Sequence, residues 1–341
     1  MALEIRRHLM RRYVLSITSL TVLLIVVFFL SISVGVVGLG LKEVVGYFLG
    51  ATYDPLLKSI LELRITRTLA SALTGASLAV AGVLIQGVTR NPLAEPYILG
   101  ISSTALSVTS LVLMVKPSLI NSRTEIMLYS FLGALLGFTF TLMLSRLGSS
   151  GLSLVLAGVA VTSISSGISH ILLYLLQSVL RMPYVYLLMG SVSPVLKSDL
   201  PILTSTSVLC ILASLLIAKP LNAYVYGDEY SKQLGFNPRL TLLTAATIAS
   251  ILTGITVGVV GIVGFVGLAS PHICRYLIGS DHRFSLPTSA LVGATLVVFS
   301  DIVVRTVSVV VRGLGELPLG VITAVIGAPF LAYLVLRRVR E

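Results

Sequence analysis

Asp301 and Arg305 lie four residues apart inside a stretch that is otherwise apolar. At that spacing on a helix they share a face and can pair. Charges inside a membrane span are costly and are paired or functional. A transporter driven by an ion gradient would need such a carboxylate as its coupling site. Asp301 is nearly the sole candidate in the apolar runs, and Arg305 neutralises it. Ser270 and His272 raise a second chemistry, since a Ser–His pair with an acid can make an intramembrane hydrolase. Two residues apart they do not face each other on a helix, and the chain has no GxSxG, no HExxH and no paired intramembrane aspartates. His272 therefore reads as a packed or hydrogen-bonded residue at a helix start. His170 is a lone histidine late in another apolar run and reads first as interfacial. Cys210 and Cys274 both sit in apolar stretches, with no CxxC and no metal-ligand spacing. No GxxxxGK[ST] occurs, so the chain cannot hydrolyse ATP by a P-loop of its own. No cofactor, metal or enzymatic activity is expected.

The elements that must carry these residues are membrane spans. Of 341 residues, 56% are hydrophobic and 11% charged, against about 25% charged in soluble domains. The mean hydropathy is +1.03. The fold class expected is all-α and polytopic, one transmembrane domain over 1–341 with no soluble second domain. The net charge of +11 reads as membrane-surface charge, not a nucleic-acid footprint, because the basic residues flank apolar runs.

Nine intervals lack Asp, Glu, Lys and Arg and approach the ~20 residues of a spanning helix: Tyr13–Leu41, Thr68–Thr89, Pro96–Val115, Ile126–Ser145, Leu147–Leu180, Leu200–Ala218, Leu240–Cys274, Phe284–Ser300 and Leu317–Leu336. The seventh is too long for one span. Gly258–Gly267, reading GVVGIVGFVG, interrupts it, and glycine at that density favours a turn. Splitting it gives ten spans. The first apolar run is far longer than the 7–15 residues of a signal-peptide core and reads as a span. The fifth reads as a span followed by a short helix, since Pro183 stops it. Arg6, Arg7, Arg11 and Arg12 precede the first span, and Arg337, Arg338 and Arg340 follow the last. Ten spans put both ends on one side, and the positive-inside rule makes that side cytoplasmic.

The chain also repeats itself. Thr68–Gly100 aligns without a gap on the stretch that starts 179 residues later at Thr247 and ends at Gly279. Thr68, Ala70, Ser71, Leu73, Thr74, Gly75, Val80, Gly82, Pro92, Tyr97 and Gly100 meet identical residues. The ungapped register with a shared Pro and Tyr argues for a duplication, with halves near 64–180 and 240–338. Five spans separate the copies, so they cross the membrane in opposite senses, as in inverted-repeat transporters.

Several smaller features have local readings. Arg90, Asn91 and Pro92 close the second span, with Asn91 able to bond freed backbone groups. Gly75, Ala79 and Gly82 allow close helix packing. Leu221–Leu240 is the longest polar loop on the cytoplasmic side, and Gly227–Gly235 within it is charged and helix-compatible, with Gly235 as a C-terminal stop. Ser149, Ser150 and Gly151, between the fourth and fifth spans, are small and polar, suited to a reversible constriction. Arg64, Arg67 and Arg305 fall on the external side, against the positive-inside trend, and need compensation there. Glu62 could serve Arg64, and Asp301 could serve Arg305.

Three stretches resemble the FecCD-type permeases, the membrane subunits of importers for iron–siderophore complexes, haem and vitamin B12. They are GASLAVAGVLIQ with RNPLAEPYILG within Thr68–Gly100, GFVGLASPHICRYLIGSDHR (Gly264–Arg283) and ELPLGVITAVIGAPFLAYLVLRR (Glu316–Arg338). The resemblance covers nearly the whole chain. It implies ten helices per subunit, a homodimer in the cytoplasmic membrane, two separate ATP-binding-cassette ATPase subunits and an extracytoplasmic binding protein that delivers a metal chelate. It implies a coupling helix for the ATPase at Gly227, Asp228, Glu229, Lys232 and Gly235, and a cytoplasmic gate at Ser149, Ser150 and Gly151. It implies docking of acidic residues of the binding protein on Arg64 and Arg305, with less support for Arg67. The family's pathway is lined in part by the fifth span, which makes His170 a candidate for substrate contact. The alternative is an ion-coupled secondary transporter with inverted repeats.

Overall fold

The computed structural model describes residues 2–35, 37–50, 54–146, 153–180, 185–311 and 316–340. Its regular elements are helices: α1 (Ala2–Ser33), α2 (Leu41–Phe48), α3 (Pro55–Thr89), α4 (Ile101–Val115), α5 (Arg123–Ser145), α6 (Ser153–Leu180), α7 (Val185–Met189), α8 (Leu200–Leu216), α9 (Ala218–Val225), α10 (Asp228–Gln233), α11 (Pro238–Val260), α12 (Val266–Ile278), α13 (His282–Val310) and α14 (Leu319–Arg340). Two short 3-10 turns precede α5 and α8.

Among the described residues seven helices are long and apolar enough to cross a membrane. They are α1, α3, α5, α6, α8, α11 and α13. Two shorter apolar helices, α4 and the described apolar part of α14, correspond to two more of the ten expected spans. The tenth corresponds to α12, with only 13 residues, about 20 Å at 1.5 Å per residue. The boundaries move in instructive ways. The first helix ends at Ser33 and not at Leu41. The second begins at Pro55, because Asp54 accepts the Leu56 N–H at 2.9 Å and Pro55 opens the first turn. Lys58, Glu62, Arg64 and Arg67 had hidden that extension. The ninth does not stop at Ser300 but runs unbroken through Asp301 and Arg305 to Val310.

The helix α3 is the spine. It is buried almost continuously from Thr66 to Val88 and packs on α13, α11 and α12. Two glycines make this possible. A Cβ on Gly75 would overlap the carbonyl of Gly293 in α13, and one on Gly82 would overlap that of Gly267 in α12. The backbones touch, which is how helices without a water-driven force between them gain van der Waals contact. Exposed Leu, Val, Ile and Phe side chains on α1, α5, α6 and α8 make the outer surface apolar.

Two irregular segments, 91–100 and 261–265, precede the short helices α4 and α12. A helix of 13–15 residues falls short of the ~30 Å apolar layer, so unwound backbone lies at membrane depth. Such backbone must be satisfied within the protein, and several of its groups find partners there. Thr162 on α6 donates to Tyr97 O at 2.8 Å, and Thr141 on α5 donates to Leu99 O at 2.8 Å. The Ile262 N–H bonds Leu187 O at 3.3 Å. Gln86 Nε2 donates to Gly267 O at 3.3 Å, and the buried Glu95 accepts the Phe265 N–H at 3.2 Å. The last bond ties the two irregular segments to each other.

Candidate functional site

The chemistry gathers at the two ends of α3. At one end Arg90 stops the helix in the left-handed region, φ 51°. Asn91 Oδ1 then accepts the Leu93 N–H at 2.9 Å, the local bond expected of it. Arg90 reaches across to α9 and α10. Its Nε donates to Tyr224 O at 2.9 Å, its guanidinium stacks over the Tyr224 ring at 4.3 Å, and it forms an ion pair with Asp228. The segment that holds Asp228 is folded as the spacing suggested. Gly227 (φ 126°) precedes α10, Asp228 and Glu229 lie in its first turn and Lys232 in its last, and Gly235 (φ 82°) follows. The N–H groups of Gly235 and Phe236 bond Lys232 O and Ser231 O at 2.9 and 3.0 Å, the glycine-ended helix stop.

A cavity of about 540 Å³ opens beside this junction, walled by α3, α9, α12 and the start of α13. Asp281 caps α13 and accepts from Arg283 Nη2 at 2.6 Å and Asn222 Nδ2 at 2.8 Å. Partial burial pushes its carboxyl up, but the bonds from Arg283 and Asn222 outweigh this and hold it down at about 2.

At the opposite end Arg64, Arg67 and Arg305 line one cavity of about 450 Å³. The structure thus brings together three arginines spread over the chain. Arg67 chelates Asp301, with Nε 2.9 Å from Oδ1 and Nη2 2.6 Å from Oδ1, and it also pairs with Glu316. Arg305 pairs with the other Asp301 oxygen at 3.0 Å, as its spacing predicted, and donates to Ser31 O at 2.6 Å and Val34 O at 3.1 Å. Its side chain is 8% exposed and that of Asp301 1%. Arg64 does not pair with Glu62, which instead takes Lys197 at 3.1 Å. It donates to Ile32 O at 2.9 Å and Ser33 O at 3.1 Å, capping the carbonyl end of α1. Glu316 and the Arg90–Asp228 pair had no sequence signal, because their partners are remote.

His170 is exposed on α6. Ser163, Gly167 and Tyr174 are also exposed and recur with it at three- and four-residue steps, one face of the helix. Ile164, Ile168, Ile171 and Leu175 are exposed beside it, so the outward side of α6 carries this line of mixed polarity next to an apolar one. His272 lies within α12, its Nδ1 3.0 Å from Leu268 O and 3.1 Å from Arg275 Nη2. Ser270 is buried beside it on a different face, as the two-residue spacing requires. Ser149, Ser150 and Gly151 lie outside the described residues.

Comparison with known proteins matches residues 23–337 to the FecCD transport family. The iron(3+)-hydroxamate import system permease protein FhuB of Bacillus subtilis is 37% identical over 318 residues, 92% of this chain and 80% of that protein. The hemin transport system permease protein HmuU of Yersinia pestis is 33% identical over 291 residues, 84% of this chain and 86% of that protein. A solved structure of the inward-facing conformation of a chain assigned to the metal-chelate type of ABC transporter superposes with a TM-score of 0.78 at 28% identity. It covers 94% of this chain and 98% of the other.

Proposed function

Because the chain belongs to the FecCD transport family, it is the multi-pass permease subunit of an ATP-binding-cassette importer and not an enzyme, and we propose how its two ends serve that task. The cargo is a metal chelate of the class of iron–siderophore, haem or cobalamin. Hydroxamate iron and hemin, named for two relatives, support the class. The full unit is ten spans in two inverted halves, near 64–180 and 240–338, with both termini cytoplasmic. The long-helix, irregular-segment, short-helix order of both α3–α4 and α11–α12 supports the inverted halves.

The observation that carries the reading is the Arg90–Asp228 pair, which fixes α10 to the end of α3. A partner that moves α10 moves the spine. In this reading the Arg90 end is cytoplasmic, and an ATPase subunit docks on Gly227, Asp228, Glu229, Lys232 and Gly235. The opposite cavity is external, and acidic residues of a binding protein meet Arg64 and Arg67 at its mouth. Arg305, deeper and tied to Asp301, Ser31 and Val34, holds the end of α1 against them. Two permeases pair around a pathway lined by the Ser163–His170 face of α6, with Ser149, Ser150 and Gly151 as the inner constriction. The sparse charge on that face suits release of a bulky ligand.

Reconstitution with ATPase and binding protein tests this. Replacing Gly227–Gly235 by a Gly/Ser linker should leave the permease folded and abolish ATP-driven uptake. Uptake at the parent rate, or uptake that a proton ionophore stops, would instead favour an ion-driven carrier.

A further inference from the structure

Arg275 lines the cavity at the Arg90 end and is the charge there that no carboxylate offsets. The other charges of that cavity are matched. Arg90 pairs with Asp228, and Asp281 pairs with Arg283 at 2.6 Å. His282 Nδ1 lies 2.6 Å from Asn222 Oδ1, which also takes the His282 N–H. Arg275 instead donates Nη2 to the neutral Gln86 Oε1 at 2.7 Å and approaches His272 Nδ1 at 3.1 Å. Among the described residues no carboxylate lies within ion-pair distance of it. A guanidinium offers five donors in a planar fork, and here one nitrogen is engaged by the two side chains. A part-buried cation without a counter-charge is costly, and the cavity leaves room for one.

We infer that this cavity receives an acidic side chain of the ATPase subunit, whose carboxylate pairs with Arg275. The inference rests on the reading that α10 is the docking surface. Continuity with that surface chooses the occupant, since Asn222, Val225 and Tyr226 form the cavity wall and lead directly into α10. A carboxylate can take the guanidinium fork bidentately, which sets orientation as well as attraction. Arg275 stands on α12 and Gln86 on α3, which cross at Gly267 and Gly82. A carboxylate that draws Arg275 from Gln86 therefore acts at the crossing of these two helices.

The test titrates purified permease in nanodiscs with the ATPase subunit. Arg275→Gln should weaken association by at least about tenfold and flatten its salt dependence, with Arg275→Lys in between. Gln86→Glu supplies the missing charge from inside while keeping the guanidinium. It gives up the Nε2 bond to Gly267 O, so its effect on melting is mixed, but it should weaken association, and it keeps the test decisive if Arg275→Gln fails to fold. Parent-like association of folded Gln86→Glu or Arg275→Gln, with the Gly/Ser linker variant unable to assemble, overturns the cavity claim and leaves α10 docking intact. Assembly of the linker variant at parent affinity overturns the docking reading itself. Inorganic phosphate that stabilises the parent but not Arg275→Gln, with association unchanged in that variant, makes the occupant a free anion and also overturns the claim.

Discussion

The stretch from Thr68 runs as unbroken helix through Gly82 to Thr89, whereas its match from Thr247 stops at the aligned Gly261. Their sequences differ in glycine density at this point. Gly258, Gly261, Gly264 and Gly267 stand where the first stretch has Ala79, Gly82, Ile85 and Val88. Over those ten positions the first stretch has two glycines, Gly82 and Gly87, five residues apart; each costs a helix about 1 kcal/mol and is tolerated. Four at three-residue intervals weaken every turn, and Gly261 takes φ 84°, ψ −165°, a conformation reserved to glycine. What the stretches share is equally telling, since the aligned Gly100 and Gly279 both have positive φ, 77° and 90°. The repeated pattern thus keeps its closing turn and shifts its break by about two turns. The shift brings Gly267 onto Gly82, so one stretch supplies the spine and the other the half-helix that crosses it.

The largest effect should come from filling that crossing. Gly82→Ala forces a methyl into the Gly267 carbonyl and should destabilise the permease by about 3 kcal/mol, seen as a fall in melting temperature in detergent. Gly264→Ala has open space around its Cβ and an ordinary φ, so it should melt with the parent. Equal melting of the two variants would break the contrast between spine and interruption. The middle effect is at the break. Gly261→Ala should cost about 2 kcal/mol by strain alone, and a parent-like melt would show that the break can re-form as helix. The smallest effect lies past the shared closing glycine. Helix α4 starts directly after Gly100, but Ser280 and the cap Asp281 separate Gly279 from α13. With its carboxyl held at about 2, Asp281 contributes stability that is complete above its ordinary value near 4 and is lost as pH falls through 2. The stability of the parent over Asp281→Asn should therefore shrink between pH 4 and pH 2, by under about 1 kcal/mol at so exposed a pair. A difference constant across that range would remove the cap from the account.

Much of this plan is legible in the chain because it depends on order along it. The charge-free runs, the repeat register and the glycine interruption are local composition, and the break falls within the predicted Gly258–Gly267. The Asp301–Arg305 pair and α10 are legible for the same reason, each fixed within one or two helical turns. What escapes is set by contacts remote in sequence. Arg67 looked like the weakest of three external arginines, yet it is the one that chelates Asp301, 234 residues away. Arg90 looked like part of a turn, and its tie to Asp228 spans 138 residues. The early start of α3 was hidden because charges near a helix end read as loop until their partners are known.

The length of α3 has a consequence for the lipid. Its 35 residues measure about 52 Å at 1.5 Å per residue, against an apolar layer of about 30 Å. The excess must project beyond the bilayer or be absorbed by tilt, and tilt adjusts to membrane thickness. The rod is pinned to Asp228 by Arg90, the residue after its last turn, and to Asp301 and Glu316 by Arg67, about three turns inside its start, so the anchored part measures about 35 Å. A thinner or thicker membrane therefore loads both anchor points together, which makes the acyl-chain length of the host lipid a mechanical input to the importer.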